Sequence, residues 1–175
     1  MLDRQKNLIV LGIDPGYAIT GYGVIAYRNN QFRCLDCGVV RTKASEYFAD
    51  RLLQINQRLE GLIESWQPHV VAVEELFFSR NTTTAIGTAQ ARGVAVLCGA
   101  RAGLPVFEYT PMQVKLAVTG YGKADKQQVQ QMVRVLLSLQ QIPKPDDAAD
   151  ALAVAICHAH SGNRETALAR GGYQS

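Results

Sequence analysis

The segment Asp146–His160, DDAADALAVAICHAH, constrains the fold of this chain more than any other. Every residue from Ala148 to Cys157 except Asp150 is apolar, so the segment predicts a helix that is apolar on nearly all sides and therefore buried. An ionised carboxylate that is buried without a partner is destabilising by several kcal/mol. Asp150 is therefore expected to be protonated, paired with a base, or bound to a cation.

A second carboxylate, Asp147, lies three positions before Asp150 and so on the same face of that helix. Two like charges on one face repel each other. A cation bound between them would offset this repulsion and would explain why both carboxylates are present. Two structural alternatives remain open. Asp146 and Asp147 are also typical caps of a helix N-terminus, and Asp150 is also accommodated if it pairs with an arginine.

Two further carboxylates follow short apolar strands. Asp14 comes after LIVLGI and precedes a Pro-Gly turn, and Glu74 comes after HVVAV. The ends of adjacent strands are where an open sheet presents its chemistry, so these side chains could converge with Asp147 and Asp150. Four carboxylates without a histidine or cysteine favour a hard cation, Mg²⁺ or Mn²⁺, over zinc, and such a cluster suits two-metal phosphoryl chemistry.

Apolar periodicity and turn signals predict three strands, a helix, a strand, a helix, a strand and then helices. The predicted strands are Leu8–Ile13, Tyr22–Tyr27, Cys34–Val40, His69–Val73 and Pro105–Tyr109. The predicted helices are Phe48–Trp66, Thr82–Ala102, Pro111–Val118 with Thr110 as N-cap, Lys126–Leu139 and Asp147–His160. The first three strands are expected to pair as a meander.

The composition predicts one soluble domain. The chain has 175 residues, of which 47% are hydrophobic and 19% charged, and a net charge of +3 permits nucleic-acid binding without demanding it. The N-terminus has the pattern of neither a signal peptide nor a spanning helix, which predicts a cytoplasmic protein with no membrane contact. We expect the domain to occupy residues 1–160 and residues 161–175, which lack a sustained apolar face, to form a flexible tail.

The four cysteines do not predict a disulfide framework in a chain of this size. Cys34 and Cys37 have CxxC spacing, but residues three apart in a regular strand point to opposite faces. We therefore expect neither zinc binding nor redox chemistry at this pair. Cys98 and Cys157 lie in apolar runs and are predicted to be core thiols.

Five sequence blocks, taken in order, resemble the RuvC family of Holliday-junction resolvases. They are GIDPGYAITGYGVI, VEELFF, GTAQARGVA, VFEYTPMQVK and DDAADALAVAICHAH. The resemblance spans residues 8–160 and implies an α/β, RNase H-like fold. That fold has a mixed five-stranded sheet, with three antiparallel strands followed by parallel ones, and helices on both faces. The order of elements predicted from periodicity agrees with it.

The resemblance implies which carboxylates bind metal. It selects Asp14, Glu74, Asp147 and Asp150 as catalytic metal ligands, although the residues alone do not separate Glu74 from Glu75 or Asp147 from its neighbour. It further implies two ions in each active site, Mg²⁺ with Mn²⁺ as a substitute.

The resemblance also implies contacts with DNA. Phe77 resembles an aromatic residue that stacks on bases opened at the crossover, with Phe78 in support, although a Phe pair after a strand is otherwise more typical of a core. Lys115 and Lys126 resemble catalytic lysines near the scissile phosphate, although surface lysines would have the same sequence. Further expected phosphate contacts are Arg80, Lys123 and Lys144.

The function implied is a metal-dependent endonuclease that resolves four-way DNA junctions by paired symmetric nicks in recombination and repair. Two equivalent cuts require two equivalent sites, so we expect a homodimer, with Thr82–Ala102 as the candidate interface. The resemblance also implies RuvA and RuvB as branch-migration partners. An ATPase of the actin and Hsp70 type is a second class, suggested by GIDPG followed by Thr20-Gly21, but such proteins clamp nucleotide between two domains and 175 residues supply one. A third class is a junction-binding module, which the intact set of acidic residues disfavours, or an RNA-directed nuclease of the same fold.

Overall fold

The computed structural model describes residues 7–76 and 82–161, which form five strands and five helices. The strands are β1 (Leu8–Asp14), β2 (Ile19–Arg28), β3 (Gln31–Arg41), β4 (Val70–Glu74) and β5 (Val106–Tyr109). The helices are α1 (Phe48–Trp66), α2 (Thr82–Arg101), α3 (Pro111–Thr119), α4 (Lys126–Leu136) and α5 (Asp146–Ser161). The predicted order of elements is confirmed.

The strands form one mixed sheet in the order β3-β2-β1-β4-β5. The β1 strand pairs antiparallel with β2, which pairs antiparallel with β3, whereas β4 is parallel to both β1 and β5. This is the mixed sheet expected of an RNase H-like fold. Ile13 is in register with Val73, so β1 and β4 end side by side at the same edge of the sheet.

Helices cover both faces of the sheet. Alternate side chains of β1 point to opposite faces, so Leu11 and Ile13 pack beneath α1 and α2, while Val10 packs beneath α5. Helices α3 and α4 pack in turn against α5. The amphipathic pattern of α1 is confirmed, because its buried residues include Ile55 and Leu59 on the sheet side. Helix α5 is buried along almost its whole length, as its apolar composition predicts.

Local signals fix the starts of α3 and α4. Thr110 caps α3 as predicted: its side chain accepts a hydrogen bond from the Gln113 N–H, and the Gln113 side chain accepts one from the Thr110 N–H. Asp125 and Gln128 form the same reciprocal capping box at the start of α4. These boxes satisfy backbone donors that the first turn of a helix leaves free.

Strand β3 departs from regular geometry at its centre. Ile25 of β2 pairs with Cys34 and Val24 pairs with Asp36, so Leu35 is an extra residue in a β-bulge. The prediction that Cys34 and Cys37 point to opposite faces is therefore wrong, since one extra residue restores both to the same face. Both thiols pack on the side of the sheet that α5 covers.

Two glycines allow α5 to lie directly on the sheet. An ideal Cβ on Gly21 would be 2.0 Å from the backbone oxygen of Asp147, and one on Gly12 would be 2.2 Å from that of Ala151. No side chain fits at these distances. The glycines of β1 and β2 therefore set the height of α5 above the sheet and the position of its first turn.

In the described part of the chain, no helix is both long and apolar enough to span a membrane. The expected tail, residues 161–175, lies outside the described residues except for Ser161. Its predicted flexibility and the predicted boundary near residue 160 stay predictions.

Replacing Gly21 with alanine is expected to destabilise the fold, because the new methyl group cannot avoid the α5 backbone at Asp147. We predict that Gly21→Ala lowers the free energy of unfolding by about 2–3 kcal/mol in urea titrations. Gly61→Ala is the matched control, since a Cβ on Gly61 in α1 meets nothing within 4 Å. It should raise stability by about 0.5–1 kcal/mol. Equal stabilities of the two variants would contradict the close packing of α5.

Candidate active site

Asp14 and Glu74 meet at the carboxyl ends of two neighbouring parallel strands. Each is the last residue of its strand, and the preceding residues Ile13 and Val73 are paired. Since side chains alternate along a strand, both carboxylates point to the face that α5 covers, opposite to Ile13 and Val73. The two side chains are hydrogen-bonded to each other.

Glu75 is placed differently from Glu74. Its backbone N–H donates to the carbonyl oxygen of Tyr109, and the residue is exposed. Strand alternation directs consecutive side chains to opposite faces, so Glu75 does not share the position of Glu74. The structure therefore brings Glu74, and not its neighbour, to Asp14.

A network of hydrogen bonds holds the turn that follows Asp14. The Thr20 hydroxyl donates to the Gly16 carbonyl at 2.5 Å, and the Thr42 hydroxyl donates to the Tyr17 carbonyl at 2.6 Å. Arg51 of α1 is buried, and its Nε donates to the Thr42 hydroxyl at 2.8 Å. The guanidinium also lies 4.6 Å from the centre of the Tyr17 ring, a cation–π contact. Helix α1 thus fixes the turn that positions Asp14.

The first two turns of α5 add Asp147 and Asp150 to the strand carboxylates. Burial, followed by the charges of Glu74, Asp150 and Asp147, raises the pKa of Asp14 from 3.8 to about 9. Burial also raises the pKa of Glu74 and of Asp150, and lysine charges partly oppose both shifts. The structure thus brings together the four carboxylates that the sequence pointed to, in a partly buried cluster of like charges.

Lys126, the first residue of α4, lies between Asp150 and Asp146. Its Nζ is 3.2 Å from an Asp150 carboxylate oxygen and 3.3 Å from one of Asp146. Partial burial lowers the pKa of Lys126, but the charges of these two aspartates outweigh it and the net shift is upward. The partner of Asp150 is thus a lysine rather than the arginine that the sequence left open.

Asp146 faces lysines rather than the carboxylate cluster. Lys144 Nζ lies 3.0 Å from its carboxylate, and hydrogen bonds from Lys144 and then Lys126 lower the pKa of Asp146. Sequence reasoning did not find this role, because Lys126 and Asp146 are 20 positions apart and only the fold brings them together.

The structure places two of the other residues that the sequence predicted to contact DNA, Lys115 and Lys123. Lys115 on α3 is half-buried, and its charge, like that of Lys126, opposes the raised pKa of Glu74. Lys123 is exposed in the loop before α4. The predicted DNA contacts Phe77, Phe78 and Arg80 lie outside the described residues.

The cluster fits hard divalent cations by its chemistry. Its side chains offer carboxylate oxygens, the ligands that Mg²⁺ and Mn²⁺ prefer. Within residues 7–76 and 82–161, no three acidic, histidine or cysteine side chains already form a metal-binding group. Instead Asp14 hydrogen-bonds with Glu74, and Asp150 pairs with Lys126. The proton between Asp14 and Glu74 and the ammonium group of Lys126 thus balance carboxylate charges that a bound metal cation would also balance.

Comparison with known proteins agrees with this fold. A sequence profile of the family described as "Crossover junction endodeoxyribonuclease RuvC" matches residues 10–158. The chain belongs to the RuvC family. A relative of that name from Desulfitobacterium hafniense is 62% identical over 156 residues, which is 89% of this chain and 94% of the relative. A RuvC from Alkaliphilus metalliredigens is 56% identical, covering 89% of this chain and 95% of the relative.

A RuvC of known structure has the same architecture. Thermus thermophilus RuvC, solved in complex with a Holliday junction substrate, superposes with a TM-score of 0.86 at 39% identity. The match covers 90% of this chain and 96% of that one. The expected RNase H-like fold of the RuvC family is confirmed over nearly the whole described structure.

The burial of Asp14 predicts a pH dependence of stability in the metal-free protein. Folded Asp14 keeps its proton up to about pH 9, whereas the unfolded chain loses it above about pH 4, so stability falls as pH rises between these values. We predict that Asp14→Asn removes up to about 1.4 kcal/mol per pH unit of this fall in chelator, measured by urea unfolding from pH 5 to 8.

Asp50→Asn is the matched control for that measurement, since Asp50 lies exposed in the first turn of α1. It replaces a carboxylate outside the cluster. Parallel pH profiles of wild type and Asp14→Asn would contradict the buried, charge-coupled position of Asp14.

Proposed function

We propose that this protein is a divalent-metal-dependent endonuclease that resolves four-way DNA junctions. The observation that carries the proposal is the convergence of Asp14, Glu74, Asp147 and Asp150 at one edge of a RuvC-family sheet. Relatives named crossover junction endodeoxyribonucleases and a RuvC structure with a Holliday junction substrate support the substrate class. The family assignment gives no support to an ATPase of the actin and Hsp70 type.

The four carboxylates would hold Mg²⁺, or Mn²⁺ in its place, with two ions in each site. Such ions, when bound, supply a water of lowered pKa as nucleophile and neutralise charge on the leaving oxygen. The protein's own contribution is placement. The strand ends fix the backbone of Asp14 and Glu74, and the glycine contacts under α5 fix the backbone that carries Asp147 and Asp150. A bound cation would replace the proton between Asp14 and Glu74 and the Lys126 ammonium at Asp150.

Lys126 and Lys115 would neutralise the DNA backbone at the site. Lys126 is held by Asp150 and Asp146 with its ammonium group beside the carboxylates, and Lys115 is close enough to Glu74 to affect its pKa. A fixed cation beside the scissile phosphate stabilises the charge that develops during hydrolysis. We further propose that Lys123 and Arg80 contact phosphates and that Phe77, supported by Phe78, stacks on opened bases.

Two symmetric nicks require two copies of the site. We propose a C2 homodimer in which each copy cuts one strand, with α2 as the interface. Ile86 and Leu97 on α2 are large, exposed apolar side chains, which supports that choice. We propose that the enzyme acts in recombination and repair in the cytoplasm, with RuvA and RuvB as branch-migration partners.

The test is cleavage of a labelled mobile four-way junction in Mg²⁺, beside a linear duplex of the same sequence. Wild type is expected to make paired, ligatable nicks at symmetric positions in the junction only. Asp14→Asn and Asp150→Asn should still bind the junction but cut it at least about 100-fold more slowly, because each variant removes one ligand charge. Chelator should abolish cutting by wild type.

Asp50→Asn on α1 is the control and should cut at the wild-type rate. Cleavage that persists in chelator would overturn the metal-dependent mechanism. Cutting of linear duplex or of an RNA–DNA hybrid in place of the junction would leave a nuclease with a different substrate. A junction that is bound but left intact in both Mg²⁺ and Mn²⁺ would overturn the assignment of the protein as a nuclease and indicate a binding module.

A further inference from the structure

The bulge in β3 places two thiols on one face of the sheet. Leu35 packs with the core under α1, and Asp36 accepts a hydrogen bond from the Trp66 indole of α1 at 3.3 Å. Two consecutive side chains therefore face α1. The flanking residues, Cys34 and Cys37, both pack instead on the side that α5 covers.

The two thiols contact each other. Their side chains are hydrogen-bonded, and this hydrogen bond lowers the pKa of Cys37 to about 7, although burial and the charge of Asp36 oppose the shift. The same hydrogen bond, then burial, raises the pKa of Cys34 well above its usual range. The Cys34 thiol also donates a hydrogen bond to the carbonyl oxygen of Asp36 at 3.8 Å, which holds its proton. Cys37 is therefore the candidate attacking thiol and Cys34 the candidate resolving thiol.

Their environment sets this pair apart from the other cysteines. Cys34 and Cys37 are partly exposed on β3, a strand at the edge of the sheet. Cys98 and Cys157 are buried, and burial raises the pKa of both. We therefore expect a reagent in solution to reach the β3 pair before the two buried thiols.

We propose that Cys34 and Cys37 form a redox-active dithiol that is oxidised to an intramolecular disulfide by low-molecular-weight disulfides. The Cys37 thiolate attacks the reagent, forms a mixed disulfide and releases one thiolate. Cys34 then loses its proton and attacks the Cys37 sulfur, which forms the Cys34–Cys37 bond and releases the second thiolate. The protein gives up two electrons, and the reagent is reduced to two thiols.

The bulge in β3 gives Cys34 and Cys37 the spacing of residues two apart in a regular strand, because Cys34 pairs with Ile25 and Cys37 pairs with Gly23. A disulfide requires the two Cβ atoms to lie about 3.8 Å apart. A bulge bends its strand and interrupts the ladder locally. Because β3 is an edge strand that pairs only with β2, a change of its backbone at the bulge disturbs one neighbouring strand and not two.

The test is to incubate the folded, full-length protein with oxidised glutathione, quench with acid and measure the intact mass. We expect loss of two hydrogen atoms with no retained adduct, reversal by dithiothreitol, and a peptide map that links Cys34 to Cys37. Cys34→Ser should accumulate one glutathione adduct on Cys37, since the resolving thiol is gone. Cys37→Ser should react at least about tenfold more slowly than Cys34→Ser.

Three results would overturn the proposal. One is a folded wild-type protein that does not react, while the urea-unfolded chain does. The second is two stable glutathione adducts on wild type in place of the internal bond. The third is a reaction at Cys98 or Cys157 before the β3 pair. Because these outcomes are read on wild type, they do not depend on whether either serine variant folds.

Discussion

The contact of α5 with the sheet through Gly21 and Gly12 is the constraint on which the site depends. It brings the backbone of Asp147 and Ala151 to distances that exclude any side chain between helix and sheet. The alanines of α5 contribute to the same contact, because their small side chains let the helix backbone lie close to the sheet. A helix at that height carries Asp147 and Asp150 to the edge where β1 and β4 end.

Placing four carboxylates together opposes folding. Burial and like charges raise the pKa of Asp14 to about 9, and the cluster is held by an internal hydrogen bond and by Lys126. Buried acids without a cation destabilise a fold, while the same acids around a cation do not. Under the proposed function, the carboxylates lower the stability of the metal-free protein, and the cation that they would bind offsets this cost.

Much of this could be predicted from the sequence, because apolar periodicity specifies elements. The buried character of α5, the Thr110 cap and the order of strands and helices all follow from local pattern. Apolar periodicity could not distinguish Glu74 from Glu75, because β4 is apolar on both faces. The alternation of its side chains does not indicate which face α5 covers. The contact of Lys126 with Asp146 depends on packing between distant segments, and the β3 bulge leaves no signal in the sequence around Leu35.

The features that were harder to predict are those that position the carboxylate site. The helix–sheet contact depends on small residues, namely Gly12, Gly21 and the alanines of α5. Each of them alone does not predict the contact, which is evident only once the strands and the helix are packed together. Helix α2 illustrates the reverse case. Its interior glycines weaken the local propensity, yet tertiary packing keeps Thr82–Arg101 helical. Tertiary packing thus decides both where the chain departs from local rules and where its carboxylates meet.

The most direct test of the central claim is calorimetric titration of Mn²⁺ into the DNA-free protein, with wild type beside Asp147→Asn, Asp150→Asn and the α1 control Asp50→Asn. We expect saturable binding by wild type and Asp50→Asn, and binding weakened at least about tenfold in both α5 variants, which stay folded. Equal affinity in wild type and the α5 variants would show that α5 does not contribute metal ligands.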